Sequence, residues 1–218
     1  MRYIKNKSLI KKDFYKKIKS LLDFLFASSC LIIFIPIYLI IALLIKFSSR
    51  GPIFYTQKRL GKNNTVFDCI KFRTMHPEAE SMLISLKEND EKLKNQYYQD
   101  YKIKNDPRIT FIGKFLRKTS LDELPQFINV FKGEMSVVGP RPIIAEEIPK
   151  YGENFLKVFE VKPGITGLWQ ISGRNNLSYE RRVALDKIYS EEVSFMLDLR
   201  IILRTIGVIL FPKDNGAF

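Results

Sequence analysis

Histidine and cysteine are nearly absent from this chain of 218 residues: it holds one histidine, His76, and two cysteines, Cys30 and Cys69. That scarcity argues against a disulfide framework, a Cys/His zinc site and a histidine-based catalytic triad. Internal repeats and low-complexity linkers are also missing. Acidic residues are the minority charge, 23 Asp and Glu against 36 Lys and Arg, which leaves a net +13. Such an excess attracts a polyanion, whether phosphate esters, an anionic membrane surface or nucleic acid. Any chemistry must then rest on carboxylates, hydroxyls, Lys, Arg, Tyr or a metal held by oxygen ligands. The length suits one domain, or one domain plus an appendage.

Charge is wholly missing from 24 to 45, "FLFASSCLIIFIPIYLIIALLI". These 22 residues meet the length of about 20 that an apolar helix needs to cross a bilayer. No small-x-small cleavage site follows, so the stretch does not read as a cleaved signal peptide. Pro36 near its middle removes a backbone hydrogen bond and predicts a bend. Basic residues flank both ends: Arg2, Lys5, Lys7, Lys11, Lys12, Lys16, Lys17 and Lys19 before it, Lys46, Arg50, Lys58, Arg59 and Lys62 after it. Cytoplasmic flanks carry the Lys/Arg excess, so a simple span would place one cluster on the wrong side. A helix that enters, bends at Pro36 and returns keeps both clusters on anionic headgroups; a kinked span with a short basic tail outside is the other reading. The Lys-rich stretch 1 to 19 suits an interfacial helix or a solvated tail.

The remainder reads as α+β. "GPIFYTQKRLG" and "TVFDCIKFRTM", parted by "GKNN", predict a β-hairpin. Residues 77 to 103 read as a charged helical arm with Met82, Leu83, Leu86 and Leu93 as its apolar stripe, ended by a turn at "NDPRIT". "FIGKFLRKTSLDELPQFINVFKG" is helical in period, with Phe111, Phe115, Leu116, Leu124, Phe127, Ile128 and Phe131 as expected core. Nine Gly or Pro between 133 and 167 mark loops suited to binding residues. A helix is expected from about Tyr179 to Asp198, with Val183, Leu185, Ile188 and Val193 apolar. Residues 199 to 211 form a basic amphipathic tail for the core or a membrane surface. The expected division is a membrane segment over 1–48 and a catalytic domain over 49–218.

Within "TSLDELPQFINVFKGEMSVVGPRP", Asp122 and Glu123 stand side by side. Ser120 followed by Glu123 fits a capping box, the ordinary structural reading. Pro125 argues partly against it, because a helix starting at Leu121 would set proline where its ring crowds that residue. A carboxylate at a helix start is favoured in its ionised form. An ionised Asp is a competent nucleophile and a competent ligand for Mg²⁺, a hard cation that shares oxygen donors with phosphate. Arg117, Lys118, Arg141 and Arg174 surround the pair in sequence, and guanidinium groups match phosphate oxygens in two-pronged fashion. Each taken singly also fits a surface ion pair. Pro140 and Pro142 restrict the backbone around Arg141. Lys71 and Arg73 share a strand face by their spacing, as substrate-facing cations or as a solvated face.

Five segments together, "KFRTM" (71 to 75), "DPRIT" (106 to 110), "LRKTSLDELPQFINVFKGEMSVVGPRP" (116 to 142), "KPGITGLWQISGR" (162 to 174) and "RVALDKIY" (182 to 189), resemble the bacterial sugar transferases, also called monotopic phosphoglycosyl transferases. The set is specific in combination and spans most of the chain beyond the hydrophobic segment. The resemblance implies an N-terminal re-entrant membrane helix hairpin joined to a small cytosolic α/β domain with a short β-hairpin and amphipathic surface helices. It implies transfer of a sugar 1-phosphate from a UDP-sugar to undecaprenyl phosphate, releasing UMP, as the first membrane step of polysaccharide or glycoconjugate assembly. The place implied is the cytoplasmic face of the bacterial inner membrane, among membrane lipids, and a homodimer is left open. By the same resemblance Asp122 is the nucleophile that takes up the phosphosugar, and Glu123 is the acid linked to Mg²⁺, with Asp122 beside it. Arg117 and Arg141 match arginines expected around the phosphates, and Arg174 matches less closely. Many members carry Ser immediately before the bend-forming proline where this chain has Ile35, so the bend at Pro36 rests on proline alone. Relatives with four further N-terminal membrane helices exist, and by the resemblance this chain is expected to stand close to the minimal catalytic form.

Two other classes of function are compatible with parts of the sequence. A membrane-tethered binding module for anionic lipid or nucleic acid explains the charge but not adjacent acids in a cationic setting. The interleaved basic and aromatic pattern of an RNA-reading sheet is absent, so no nucleic acid partner is expected. A metal-dependent glycosyltransferase acting on a lipid-linked acceptor would use the acids to hold a metal for the nucleotide.

Overall fold

A computed structural model of the chain describes residues 2–100, 103 and 105–210, with side chains from residue 14 onward apart from a few. The basic side chains from Arg2 to Lys12 and the last residue of the expected amphipathic tail lie outside the described residues. The chain forms two compact units. One gathers the described residues up to Phe34, Thr56–Ile70 and the described residues from Pro125 onward; the other gathers Ile35–Tyr55 and, among the described residues, 71–124.

The apolar N-terminal stretch folds as two helices, α1 (Arg2–Ile33) and α2 (Ile35–Ser48), bent by 61° at the break before Pro36. Among the described residues no single helix is long and apolar enough to cross a membrane; the bent pair meets that test only together. The expected hairpin is present as β1 (Phe54–Leu60) and β2 (Val66–Phe72).

In the first unit α1 lies on α6 (Gln126–Phe131) and on β3 (Ser136–Val138). Phe24 stacks on Phe131 with ring centroids 4.9 Å apart, and Asp23 Oδ1 accepts the Val137 N–H at 3.1 Å. Lys19, expected at headgroups, is instead ion-paired inside the protein with Asp198, which also accepts from the Tyr15 hydroxyl at 2.6 Å and the Tyr189 hydroxyl at 2.8 Å. β3 pairs in parallel with β4 (Gly164–Thr166), Ser136 opposite Gly164 and Val138 opposite Thr166. A Cβ on Gly164 would stand 2.0 Å from the Gly139 nitrogen, so only glycine permits this approach. Two short helices, α7 (Ile148–Tyr151) and α8 (Asn154–Val158), occupy the crossover between the strands. They cover a core of Leu60, Ile143, Tyr151, Val158, Phe159 and Val183. The helix expected over 179 to 198 is two: α9 (Tyr179–Glu192) stops at Val193, and α10 (Phe195–Leu210) follows. α10 buries Ile201 completely, which bears out packing in the core, while Met196 and Leu203 stay more than half exposed.

In the second unit α2 packs through Ile41 and Ile45 against Phe72 of β2 and Leu116 of α5 (Phe111–Thr119). The charged arm is also two helices, α3 (Ala79–Asn89) and α4 (Glu91–Asp100), whose apolar stripe is only half-buried. The long helical period after residue 110 resolves into α5, a 3₁₀ turn at Leu121–Glu123 and α6, because Ser120 turns left-handed and Pro125 cannot continue a helix. That break corrects the expected core: Leu116 and Phe127 are buried, whereas Phe111, Phe115 and Phe131 are exposed at 85%, 51% and 47%.

Asn129, with no exposure, ties the hairpin to α6 inside the first unit: its amide donates to the Asp68 carbonyl at 2.7 Å and its oxygen accepts the Ile70 N–H at 3.0 Å. Asn129→Ala strands both groups, and an unsatisfied interior polar group costs about 1–3 kcal/mol. The expected result is a melting temperature lower by roughly 5–15 °C in a thermal scan; an unchanged transition would show that Asn129 does not hold β2.

Candidate active site

Asp122 and Glu123 lie in the 3₁₀ turn that follows α5. On one side of the turn Leu121 and Leu124 pack on the cluster of α2, β2 and α5, and the Tyr38 hydroxyl donates to the Leu124 carbonyl at 2.6 Å. The apolar helix α2 thus forms part of the floor beneath the acid pair. α5 itself is started by Thr110, whose hydroxyl accepts the Gly113 N–H at 2.9 Å. Gly113 permits α5 to lie on the backbone after β2, since a Cβ there would be 1.9 Å from the Thr74 carbonyl oxygen.

The Asp122 side chain is 8% exposed. Burial raises its pKa from 3.8 to about 6, with Lys71 and Arg117 opposing that rise and Glu123 adding to it. This corrects the expectation that a helix start would favour the carboxylate, because desolvation outweighs the turn's backbone dipoles. The group is still mostly ionised at neutral pH. Glu123 is more open and receives a 2.6 Å ion pair from Lys71. Among the described residues no three His, Cys, Asp or Glu side chains converge to hold a metal. A cation here would take one or two carboxylates, from Asp122 and Glu123, and complete its shell with phosphate oxygens and water. That donor set suits Mg²⁺, which keeps several waters and shares substrate phosphates, and a cation would relieve the burial strain on Asp122.

Arg117 is the best placed of the expected phosphate binders. Its Nε donates to Thr74 Oγ1 at 3.0 Å, and its two terminal nitrogens make no hydrogen bond or ion pair among the described residues. Desolvation lowers its pKa, and Asp122 followed by Asp106 raises it. A guanidinium fixed at one nitrogen, with its fork open beside a carboxylate, is prepared for an anion. Lys118, the next residue, is exposed. Arg73 has a different task from its strand neighbour Lys71. It is buried, and its guanidinium donates to the Arg50 carbonyl at 2.6 Å and the Ser49 carbonyl at 2.9 Å, closing the C-terminal end of α2.

Sequence reasoning missed the groups that hold these residues. Thr74 orients Arg117, and Thr110 and Gly113 seat α5. Asp106 and Arg108, in the segment expected as a plain turn, form a buried two-pronged pair with contacts of 2.6 to 3.1 Å. Thr74, Asp106, Arg108 and Thr110 stand in two of the motif strings, "KFRTM" and "DPRIT", yet within these only Lys71 and Arg73 carry an expected chemical role.

Arg141 and Arg174 belong to the first unit. Arg141 lies 5.5 Å from the Trp169 ring centroid, and its backbone N–H points to Asp186 Oδ2 at 3.5 Å. Asp186 is wholly buried, accepts the Tyr151 hydroxyl at 2.8 Å, and has its pKa raised by burial to about 7. Glu147 accepts the Tyr179 hydroxyl at 2.7 Å and pairs with Arg59 at 3.4 Å. Burial pushes the Glu147 pKa up, but Arg141, Tyr179 and Arg59 outweigh it, and the net shift is downward. Arg174 opens a 3₁₀ turn after Gly173 with a positive φ of 49°.

Ser120 departs from the capping-box expectation. It has φ 58° and ψ 16°, closes α5 through its backbone N–H, and makes no side-chain cap to the following turn. A residue other than glycine in this region costs about 1–2 kcal/mol.

Because Asp122 binds a proton on folding that the unfolded chain releases at lower pH, its contribution to stability is complete below about pH 4 and is lost as pH rises through about 6. A ¹³C-carboxylate titration of Asp122 is expected to show a midpoint near 6. Lys71→Met, which removes the largest opposing charge, moves it upward; a midpoint near the ordinary carboxylate value, or one unmoved in the variant, would contradict this geometry.

A family model described as "Bacterial sugar transferase" matches residues 14–212. The chain is 44% identical over 193 residues to the exopolysaccharide production protein ExoY of Rhizobium meliloti, covering 88% of this chain and 85% of that protein. It is 45% identical over 201 residues to an uncharacterized sugar transferase of Haemophilus influenzae, covering 92% of this chain and 42% of that protein. Over 168 residues it is 44% identical to the undecaprenyl-phosphate galactose phosphotransferase of Salmonella typhimurium, covering 77% of this chain and 35% of that one. The chain therefore spans less than half the length of the Haemophilus and Salmonella relatives. With the match running from α1 through α10 and taking in the turn of Asp122 and Glu123, the chain belongs to the bacterial sugar transferase family.

Proposed function

We propose that the chain transfers a sugar 1-phosphate from a UDP-sugar to undecaprenyl phosphate by way of a phosphosugar held on Asp122. The observation that carries this reading is the pairing of a buried, ionisable Asp122 with the open fork of Arg117. A nucleophile must be partly desolvated to react, and the phosphoryl oxygens it attacks need fixed positive partners.

In the first step an Asp122 carboxylate oxygen forms a bond to the β-phosphorus of the donor. The bond from that phosphorus to the bridging oxygen breaks, and UMP leaves with the electron pair. In the second step a phosphate oxygen of undecaprenyl phosphate attacks the same phosphorus, and the bond to Asp122 breaks to restore the carboxylate. Arg117 holds non-bridging oxygens through both steps, and Lys71 keeps Asp122 ionised by opposing its burial. Lys118, Arg141 and Arg174 are assigned to the phosphates of the substrates. Arg73 retains its place at the end of α2. Glu123 and Asp122 would hold Mg²⁺, which would supply charge neutralisation for the diphosphate.

The lipid acceptor brings the reaction to a membrane. We assign the bent pair α1 and α2 to a re-entrant hairpin at the cytoplasmic face of the inner membrane. Support comes from the bend before Pro36, the basic residues on both flanks and the exposed apolar side chains, Ile32, Ile33, Leu39 and Leu43 among them. Relatives named for galactose and for glucose transfer make UDP-galactose and UDP-glucose the first donors to try.

Without lipid acceptor, the wild-type protein with Mg²⁺ is expected to release UMP in an amount limited by the enzyme, and with undecaprenyl phosphate to turn over. Asp122→Asn abolishes both. UDP in place of UMP, or full activity in the Asn variant, would favour a metal-dependent glycosyltransferase. Arg117→Lys keeps the charge and loses the fork, and is expected to lower kcat/KM by about 10- to 100-fold; a near-normal value would remove Arg117 from the phosphate site.

A further inference from the structure

Ser120 has no structural reason to be serine. Its left-handed backbone is the conformation glycine adopts at helix ends, and asparagine next most often. Its side chain does not cap the following turn, so the commonest reason for serine before an acidic pair is missing. Its hydroxyl makes no hydrogen bond among the described residues, and the side chain is only half-exposed. The residue is bonded to the reactive turn directly: the Glu123 N–H donates to the Ser120 carbonyl at 3.3 Å. Strain retained where a strain-free residue is available points to a task for the side chain.

We infer that the Ser120 hydroxyl is a further catalytic group, donating a hydrogen bond to a non-bridging oxygen of the phosphoryl group that Asp122 attacks. This rests on the proposed phosphoryl transfer and adds a neutral donor beside the cations Arg117 and Lys71. A hydroxyl suits the place because a third cation would further stabilise the Asp122 carboxylate and weaken it as a nucleophile, whereas a neutral donor follows the charge growing on the phosphoryl oxygens. The contact strengthens as that charge grows, so its loss falls on kcat more than on KM.

The test compares Ser120→Gly, which keeps the left-handed backbone and removes the hydroxyl, with Ser120→Asn, which tolerates that backbone and restores a donor. Each is assayed by UMP release from UDP-galactose and UDP-glucose with undecaprenyl phosphate and Mg²⁺, and each is melted. The Gly variant is expected to melt at the wild-type temperature or a few degrees higher, with kcat lower by about 10- to 100-fold and KM little changed. The Asn variant is expected to recover part of kcat. Wild-type kcat in the Gly variant would overturn the inference, and so would a lower melting temperature, which would give the hydroxyl a structural role. A wild-type protein that releases no UMP, or an active Asp122→Asn variant, refutes the phosphoryl-transfer reading itself and is separable from either outcome.

Discussion

A carboxylate placed where water barely reaches it must be opposed by positive charge or surrender its own. Asp122 is in that position, and the second unit is arranged around it. Lys71 comes from the end of β2 and Arg117 from the last turn of α5, and together they balance the burial of the side chain so that it stays mostly ionised at neutral pH. The balance suits a nucleophile, which must be ionised yet poorly solvated. It also explains why the surrounding packing is strict. Gly113 lets α5 approach the Thr74 backbone, Thr74 orients Arg117, and α2 with Phe72 and Leu116 fixes the turn from below.

Of the two N-terminal helices, α2 belongs to this arrangement. α2 gives Ile41 and Ile45 to the same cluster that seats Leu121 and Leu124, while its Leu39 and Leu43 remain exposed. One helix thus has an inward face that builds the site and an outward apolar face fit for lipid. α1 is held in its own unit by buried ionic groups, with Lys19 and Tyr15 on Asp198 and Asp23 on the Val137 amide.

Much of this was legible in the sequence, and the failures have physical causes. The hairpin, the bend at Pro36 and the prominence of Asp122, Glu123 and Arg117 follow from local chemistry: alternation, a missing backbone donor and the proximity of unlike charges. Periodicity failed in part after residue 110, where its unbroken helical pattern gave a core that included Phe111, Phe115 and Phe131 as well as Leu116 and Phe127. The left-handed turn at Ser120 rotates the apolar pattern, and nothing in a serine codon announces a conformation that glycine usually supplies. Arg73 and Lys71 looked equivalent from their spacing, yet Arg73 closes a helix end brought near by the fold. Thr74 and Gly113 matter only through contacts distant in sequence, so no local pattern could mark them.

In the proposed reaction Asp122 carries the sugar phosphate between donor and acceptor. The most direct measurement is intact-protein mass spectrometry after brief mixing with UDP-galactose or UDP-glucose and Mg²⁺, without undecaprenyl phosphate, followed by peptide mapping. The account predicts a mass increase of one hexose phosphate, located on the peptide that contains Asp122 and discharged when undecaprenyl phosphate is added. A protein that turns over with both substrates yet never gains mass, or gains it on a peptide lacking Asp122, would contradict it.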